Sequence, residues 1–243
     1  MKTVVITGAS SGIGLALAKQ YASNGARVIG TKRPHETPSP SEVSIEYISV
    51  DFLTTDTNQW MASLPNRIDV FIANAGVGAY EKNRTFDADD SMYRLNTHAP
   101  IEQYHWLKRQ NFKGTFVVMG SVLALWPLPG YARYAHTKGA LVSYFKALQN
   151  SRDGSIVIML PVAMKTQFFK TARQPHTPWP LQDPERVARK MLSIINKQKR
   201  TWISSKSFAL LWHLFPFMLT PYVKREQRLY ERAFIEGETK DRE

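Results

Sequence analysis

Tyr134 and Lys138 form the pair of residues whose types and spacing are best suited to proton transfer. They stand four residues apart in the stretch Tyr134-Ala-His-Thr-Lys138, so on a helix they share one face, about one turn apart. A nearby ammonium group favours the ionised phenol, so we expect Lys138 to lower the pKa of Tyr134 from its ordinary value of about 10. Such a tyrosine can protonate a carbonyl oxygen or deprotonate an alcohol near neutral pH. The pair alone is weak evidence for catalysis, because tyrosines and lysines are common on helices. It indicates catalysis only if the remaining chain forms a redox site around it.

The N-terminal residues predict a binding site for a dinucleotide. Residues 3–7 are typical of a parallel strand buried on both faces, and residues 15–24 of a helix that ends at Gly25. Between them lies the turn Gly8-Ala-Ser-Ser-Gly12-Ile-Gly14. Glycines let a backbone approach a pyrophosphate, and the N-terminus of the helix offers free N–H groups. An ordinary tight turn between a strand and a helix is the alternative interpretation.

Two basic residues at the end of the second predicted strand, residues 27–31, indicate which nicotinamide cofactor is favoured. An acidic residue at this place binds the ribose 2′-hydroxyl of NAD, whereas a basic one accommodates the 2′-phosphate of NADP. Lys32 and Arg33 follow the strand directly, and the first acidic residue is Glu36. The sequence therefore favours NADP(H) over NAD(H), unless both charges are only solvated loop residues.

The remaining pattern predicts a single doubly wound parallel sheet of the Rossmann type, with three layers in the order α/β/α. Short apolar segments alternate with helical ones, and this alternation is typical of that fold. Three prolines in residues 34–41 predict a loop in place of one crossover helix. We expect a catalytic domain over residues 1–205 and an apolar and charged C-terminal extension over 206–243. The later predicted strands are residues 45–50, 68–73, 115–120 and 155–160, and the later predicted helices are residues 56–64, 89–110, 134–150 and 184–197.

Over residues 3–204 the chain resembles the short-chain dehydrogenase/reductase family. Ser121 precedes Tyr134 by thirteen residues, which is the usual separation in that family, and Tyr131 has Ala135 where a lysine would be needed. The matching pieces are Thr7-Gly-Ala-Ser-Ser-Gly-Ile-Gly14, Asp51, Asn74-Ala-Gly76, Asn96, Ser121, Tyr134-x-x-x-Lys138 and Pro161…Thr166.

The resemblance implies a role for each matched residue. Tyr134 would be the acid and base, Lys138 would hold the nicotinamide ribose, and Ser121 would bind the substrate oxygen where negative charge develops. Asn96 would hold the geometry of its helix and a water that relays protons to Lys138. The cofactor would be bound by Gly8, Ser10, Ser11, Gly12, Ile13, Gly14, Lys32, Arg33, Asp51, Phe52, Asn74, Ala75, Gly76, Tyr134, Lys138, Pro161, Val162 and Thr166.

Two residues depart from the family pattern, and one segment is left open by it. Val162 follows Pro161 where the family usually has glycine, so we expect crowding at the nicotinamide. His136 is also unusual, and we interpret it as structural. Residues 167–180 correspond to a lid, in which Phe168, Phe169 and Trp179 either line an apolar substrate pocket or pack the lid itself.

Composition limits the other possibilities. The chain has 243 residues, a formal net charge of +12 and no cysteine, so disulfides and thiolate metal ligands are excluded. We expect no metal site and no signal peptide, and a cytoplasmic protein. The positive charge accompanies no groove-binding or base-stacking motif, so we expect no nucleic-acid partner. Family resemblance implies a homodimer or homotetramer.

The apolar segment at residues 208–223 is flanked by Lys206, Lys224 and Arg225. With sixteen residues and two prolines it is too short to span a membrane. It either covers the substrate cleft or a subunit interface, which we favour, or makes peripheral membrane contact through residues 206–225. Residues 224–243 alternate in charge and predict a solvated helix.

The function predicted from these observations is NADP(H)-dependent oxidation and reduction of a secondary alcohol and carbonyl pair, with a small and either apolar or acidic substrate. The alternative is a non-catalytic NADP-binding sensor or interaction protein on the same fold.

Overall fold

The computed structural model describes residues 1–81, 91–173, 180–214 and 216–240. Its centre is one sheet of seven parallel strands in the order β3-β2-β1-β4-β5-β6-β7. The strands are β1 (Thr3–Ile6), β2 (Arg27–Lys32), β3 (Glu46–Ser49), β4 (Val70–Ala73), β5 (Thr115–Met119), β6 (Ser155–Leu160) and β7 (Thr201–Ile203). The doubly wound fold predicted from the alternating pattern is confirmed.

Helices cover both faces of the sheet, as the three-layer prediction requires. They are α1 (Gly12–Ser23), α2 (Thr57–Met61), α3 (Ser91–Tyr93), α4 (Ala99–Arg109), α5 (Ala132–Asn150), α6 (Phe168–Thr171), α7 (Pro184–Asn196), α8 (Lys206–Leu214) and α9 (Thr220–Lys240). Helices α1 and α7 pack together on one face, and α2, α4 and α5 contribute to the core on the other. The loop predicted for residues 34–41 contains no helix.

Strand residues alternate between the two cores because successive side chains of a strand point to opposite faces. In β5, Phe116 and Val118 join the core under α5, whereas Val117 and Met119 join the core under α1 and α7. All five residues of the strand are buried. Burial on both faces explains the uninterrupted apolar runs that mark these strands in the sequence.

Strand β7 was not predicted. It pairs with β6 through the register Ile158↔Thr201, Met159↔Trp202 and Leu160↔Ile203. The strand has only three residues, none of them fully buried, and therefore lacks the apolar run that marks the central strands.

Candidate active site

The turn after β1 is built from glycines whose backbone angles or close contacts disfavour other residues. Gly8 and Gly12 have φ angles of +66° and +57°, a region that side chains with a Cβ rarely adopt. A Cβ on Gly14 would lie 2.1 Å from the carbonyl oxygen of Gly8. The start of α1 therefore packs closely against the turn, and Gly12, Ile13 and Gly14 of its first turn line the cavity.

Hydrogen bonds fasten this turn to the neighbouring strands. The Asn74 side chain donates to the carbonyl oxygens of Thr7 and Gly8, over 2.9 and 3.0 Å. The Thr7 hydroxyl accepts from the backbone N–H groups of Asn74 and Ala75, each over 2.9 Å. The Thr31 hydroxyl accepts from the N–H of Gly8 over 3.0 Å. Sequence reasoning missed Thr31, although a hydroxyl near the end of a buried strand was a usable signal.

The residues expected at the adenosine end lie together at the ends of β2 and β3. Lys32, Arg33, Asp51 and Phe52 all line one cavity with the glycine turn. The ammonium of Lys32 donates to the carbonyl oxygen of Glu36 over 3.1 Å, and Nε of Arg33 lies 3.6 Å from the Glu36 carboxylate. Glu36 therefore competes for the two cations that the prediction assigns to a 2′-phosphate.

Asn96 sits in a π-helical turn, Arg94–His98, between α3 and α4. The helix predicted over residues 89–110 is present as α3, this turn and α4, which follow one another without a break, and residues 89 and 90 lie outside the described residues. Pro100 explains the widened turn, since it has no N–H to donate to the carbonyl four residues earlier, which is that of Asn96. The fully buried Asn96 amide accepts from the N–H of Val77 over 2.9 Å. It donates to the carbonyl oxygen of Val77 and to the Thr137 hydroxyl, over 2.8 and 3.0 Å.

Ser121, Tyr134 and Lys138 meet at the centre of the cleft. The Tyr134 hydroxyl shares a hydrogen bond with the Ser121 side chain. Nζ of Lys138 lies 5.9 Å from the centre of the Tyr134 ring and donates to the carbonyl oxygen of Met119 over 2.9 Å. A Cβ on Gly76 would lie 2.9 Å from Asn96 Oδ1 and 3.4 Å from Lys138 Nζ. The four residues expected to be catalytic are thus brought together.

The expected lowering of the Tyr134 pKa is wrong for the protein alone. Burial raises the pKa of Tyr134 to about 12, and the hydrogen bond with Ser121 acts in the opposite direction without offsetting it. Burial also lowers the pKa of Lys138 to about 8. Loss of hydration disfavours the charged form of each group.

The other predicted cofactor residues line the same cavity, whose volume is about 1010 Å³. Its lining includes Ser10, Ser11, Ile13, Gly76, Pro161, Val162 and Thr166. The N–H of Val162 donates to the Ser204 hydroxyl over 3.0 Å. Methyl Cγ2 of Thr166 would lie 3.5 Å from a Cβ on Gly12, which places Thr166 beside the turn. His136 is exposed, with its ring 5.3 Å from that of Tyr93.

Aromatic rings of the predicted lid reach the catalytic tyrosine candidate. The ring centres of Phe168 and Tyr134 are 5.3 Å apart, and Phe168 and Phe169 both line the cavity. A Cβ on Gly78 would overlap the Phe168 ring at 2.2 Å. Between the two interpretations of these phenylalanines, this placement favours a pocket wall. Trp179 lies outside the described residues.

The C-terminal segment covers part of the cleft. Leu211 of α8, Met218 of the following 3-10 turn, and Tyr222 and Glu226 of α9 line the cavity. Tyr230 packs against Tyr80, with ring centres 5.8 Å apart. Covering the cleft was one of the uses predicted for this segment. None of the described helices is both long and apolar enough to cross a bilayer.

The described parts of the chain hold no cluster of three or more histidine, aspartate or glutamate side chains that would bind a metal ion. The site combines a glycine turn suited to binding a dinucleotide with four buried side chains, those of Asn96, Ser121, Tyr134 and Lys138. This arrangement can exchange one proton with an oxygen atom held against Ser121 and Tyr134.

Known proteins share both the sequence pattern and this fold. The chain is 26% identical over 222 residues to the uncharacterized oxidoreductase YbbO of Escherichia coli, covering 84% of this chain and 82% of that protein. It is 29% identical over 154 residues to the cyclic-di-GMP-binding biofilm dispersal mediator protein of E. coli, covering 60% of this chain and 65% of that one. The chain thus spans slightly less than two thirds of the length of this second relative.

Two solved structures show the same fold. A short-chain dehydrogenase from Sphingobium yanoikuyae in complex with NADPH superimposes with a TM-score of 0.75 and 22% identity, covering 92% of this chain and 96% of that one. A short-chain dehydrogenase/reductase from Burkholderia phymatum in complex with NAD gives a TM-score of 0.73 and 19% identity, over 88% and 92% of the two chains. The family model described as short chain dehydrogenase matches residues 2–177. Since this match extends from β1 through the glycine turn and α5 to the lid, the chain belongs to the short-chain dehydrogenase family.

Proposed function

We propose that this protein is an NADP(H)-dependent oxidoreductase that interconverts a carbonyl compound and the corresponding secondary alcohol. The observation that carries the proposal is the meeting of Ser121, Tyr134 and Lys138 in the cavity that the glycine turn also lines. A sensor needs a nucleotide cleft but no buried proton donor. Membership of the short-chain dehydrogenase family supports oxidoreductase chemistry.

In the proposed reaction Tyr134 transfers the proton. With a pKa of about 12 it holds its proton near neutral pH, so it is ready to donate to the oxygen of a carbonyl group. Ser121 donates a hydrogen bond to the same oxygen and stabilises the charge that develops there. Lys138 supplies positive charge beside the phenol when the proton leaves. In the oxidation direction Tyr134 must first lose its proton to solvent, and its phenolate then accepts the proton from an alcohol.

The chain fits the cofactor that would supply the hydride. The tight turn at Gly8, Gly12 and Gly14 leaves no Cβ between the backbone and a pyrophosphate, and the N-terminus of α1 attracts its charge. Lys32 and Arg33 line the cavity where a 2′-phosphate would lie. A bound nicotinamide exchanges hydride at its C4 atom, and the protein contributes placement and proton transfer.

Replacing Tyr134 by phenylalanine tests the proposal. A general acid contributes about 100-fold or more, so Tyr134→Phe is expected to lose at least that much kcat in NADPH-dependent ketone reduction while still binding NADPH. Tyr144→Phe is the matched control, since Tyr144 lies on the same helix with its hydroxyl 2.6 Å from His105 Nε2. A Tyr134→Phe variant that keeps more than about a tenth of the wild-type rate would contradict the role of Tyr134.

The alternative function is nucleotide binding without catalysis. The relative named as cyclic-di-GMP-binding favours it, because that protein aligns with this chain at 29% identity. The intact set of Asn96, Ser121, Tyr134 and Lys138 favours catalysis. Calorimetry with cyclic-di-GMP, together with a screen of grouped ketones and aldehydes for NADPH oxidation, separates the two. Tight nucleotide binding without any turnover would support the sensor.

The outer face of the C-terminal segment is proposed to contact an anionic membrane surface. Leu210, Leu214, Phe217 and Met218 are 55–69% exposed there. Basic residues lie at both ends of this patch, at Lys206 on one side and at Lys224 and Arg225 on the other. Such a mixture suits the boundary of anionic headgroups and acyl chains. A second copy of this chain would instead bring the same basic residues against each other, which costs energy.

Sedimentation with vesicles tests this contact. Leu210→Glu with Leu214→Glu is expected to abolish binding to phosphatidylserine vesicles. Ser23→Glu with Ser193→Glu adds the same charge on α1 and α7 and should leave binding unchanged. A wild-type protein that does not bind anionic vesicles would refute the membrane contact. A double variant whose only change is its oligomeric state would show that the patch is a contact between copies. We also propose the homo-oligomer that the family resemblance implies and the cytoplasmic location expected from the sequence.

A further inference from the structure

The aromatic ring of Phe168 lies against the ring of the proposed proton donor. The centres of the Phe168 and Tyr134 rings are 5.3 Å apart, at an interplanar angle of 60°, which is contact distance for an edge-to-face pair. Phe168 lines the cavity and packs against the cluster of buried side chains that contains Tyr134. Gln167 and Thr171 also line the cavity, so the lid presents polar as well as aromatic groups there. The Phe168 ring therefore stands beside the position where the proposed reaction takes place.

A glycine in another segment makes room for this ring. A Cβ on Gly78 would lie 2.2 Å from Cζ of Phe168 and 2.8 Å from its Cε2, so the end of the ring rests on the Gly78 backbone. Gly78 does not have the positive φ angle of Gly8 and Gly12. The close contact with Phe168, rather than the backbone angle, is thus what disfavours a side chain at Gly78. Sequence analysis did not single out this glycine.

Hydrogen bonds attach both ends of the lid helix α6. The N–H of Tyr80 donates to the carbonyl oxygen of Ala172 over 2.8 Å, which ties the C-terminal end of α6 to the loop after β4. The N–H of Ala172 in turn donates to the carbonyl oxygen of Phe168 over 2.8 Å. At the other end of α6, the N–H of Phe168 donates to the Thr166 hydroxyl over 3.3 Å. Moving the lid helix away from the proton donor would break these bonds.

We propose that Phe168, seated on Gly78, limits the smaller of the two groups on the substrate carbonyl carbon to a hydrogen or a methyl. The substrate class is then an aldehyde or a methyl ketone, with one larger group that extends into the rest of the cavity. This inference rests on the proposed function, because that function places the carbonyl oxygen at Ser121 and Tyr134. Phe168 is a specificity-determining residue in this arrangement and takes no part in proton transfer.

The physical reason is the space that the ring occupies. A carbonyl oxygen held by Tyr134 brings both groups of the carbonyl carbon close to the Tyr134 ring, and Phe168 already fills one side of that ring. Protein interiors are close-packed, so a larger group there must displace the Phe168 ring or shift the carbonyl away from the proton donor. One methylene in an apolar pocket changes kcat/KM by about 10-fold to 200-fold. If the ring only packs the lid, its removal leaves the size preference unchanged.

Phenyl ketones with a methyl, an ethyl or an isopropyl group provide the test. We expect wild-type kcat/KM with NADPH to fall by about 10-fold or more from the methyl to the isopropyl ketone. Phe168→Ala should reduce this difference to less than about 3-fold, because it removes the obstructing ring. The intrinsic reactivity of each ketone is the same with both proteins, so it cancels in this comparison.

Phe112→Ala is the matched control. Phe112 is also half-buried and also packs on a glycine, since its Cε2 would lie 2.6 Å from a Cβ on Gly114, but it does not line the cavity. This variant should keep the wild-type preference. Equal wild-type kcat/KM for the three ketones would overturn the proposal, whether or not Phe168→Ala folds. So would a folded Phe168→Ala variant that keeps the wild-type preference.

Gly78→Ala tests the link between the glycine and the ring. The added methyl cannot coexist with the Phe168 ring in its present position. It should therefore change the ratio of kcat/KM between the methyl and isopropyl ketones by about 3-fold or more. In a Phe168→Ala background the same substitution should change this ratio by less than about 2-fold, because residues that act through one contact are not additive. Equal changes in both backgrounds would overturn the role assigned to Gly78.

Calorimetry of the same ketones with the NADP-bound protein separates this proposal from the proposed function. If no ketone is reduced, the catalytic function fails. The size limit still stands if Phe168→Ala binds the isopropyl ketone at least about 10-fold more tightly than the wild type does, and it fails if the two affinities are equal. If the ketones are reduced without a size preference, the function stands and the size limit fails.

Discussion

We expect the buried Lys138 ammonium to lower the free energy of unfolding of the protein at neutral pH. Its pKa is lowered by burial from 10.5 to about 8, and each unit of pKa corresponds to about 1.4 kcal/mol. Holding the protonated ammonium inside the protein below pH 8 thus costs about 3 kcal/mol. The unfolded chain binds more protons than the folded one between pH 8 and 10.5, so this cost disappears as the pH rises through that window.

Lys138→Met keeps most of the side-chain volume and removes the charge. It also removes the 2.9 Å hydrogen bond to the carbonyl oxygen of Met119, which contributes about 1 kcal/mol. At pH 7 the variant should gain about 2 kcal/mol, or about 4–8 °C in Tm for a chain of this length. At pH 10.5 the gain should vanish or change sign. The same variant should lose most of its ketone reductase activity.

Thermal unfolding of the variant and the wild type, measured side by side at pH 7 and 10.5, tests this reasoning. Lys146→Met is the control, since Lys146 is exposed on the same helix and its removal should leave Tm nearly unchanged at both values. A Lys138→Met protein that melts at or below the wild-type temperature at pH 7 would refute the argument from burial.

Three further outcomes follow from the site. The kcat/KM for ketone reduction should decline above about pH 8, because Lys138 then loses its proton while Tyr134 keeps its own. A kcat/KM that stays constant up to pH 10 would contradict the need for the Lys138 ammonium. Lys32→Ala with Arg33→Ala should raise the Kd of NADPH much more than that of NADH, and equal losses would show that neither residue meets a 2′-phosphate. Gly14→Ala would place a Cβ 2.1 Å from a backbone oxygen, so NADPH binding should fall at least about 10-fold with a lower Tm. Gly139→Ala, whose Cβ would meet nothing closer than 3.9 Å, should be neutral or stabilising by up to about 1 kcal/mol.

The sequence predicted most accurately the elements whose structure depends mainly on their own residues. Strand β6 has the predicted bounds, since its five consecutive apolar residues are all buried between the two helical layers. Helix α7 begins as predicted because Asp183 accepts from the N–H groups of Glu185 and Arg186. In the same way, the glycine turn follows from backbone angles that only glycine adopts easily.

Other features depend on contacts between distant residues, so sequence reasoning failed there. Strand β7 forms because its backbone pairs with the edge of β6. The Tyr134 pKa was predicted in the wrong direction because the spacing to Lys138 says nothing about how deeply both groups are buried. Glu226 was overlooked although Tyr222, Glu226 and Tyr230 recur at intervals of four residues, a spacing that places them on one helix face.

The C-terminal segment of α8 and α9 lines the cavity but contributes no strand to the sheet. Under the proposed function, exchanges among its cavity-lining residues would alter which molecule is accepted without breaking any strand pairing. Tyr230 is an exception because it packs in one cluster with Tyr134, so an exchange there would also reach the proposed proton donor.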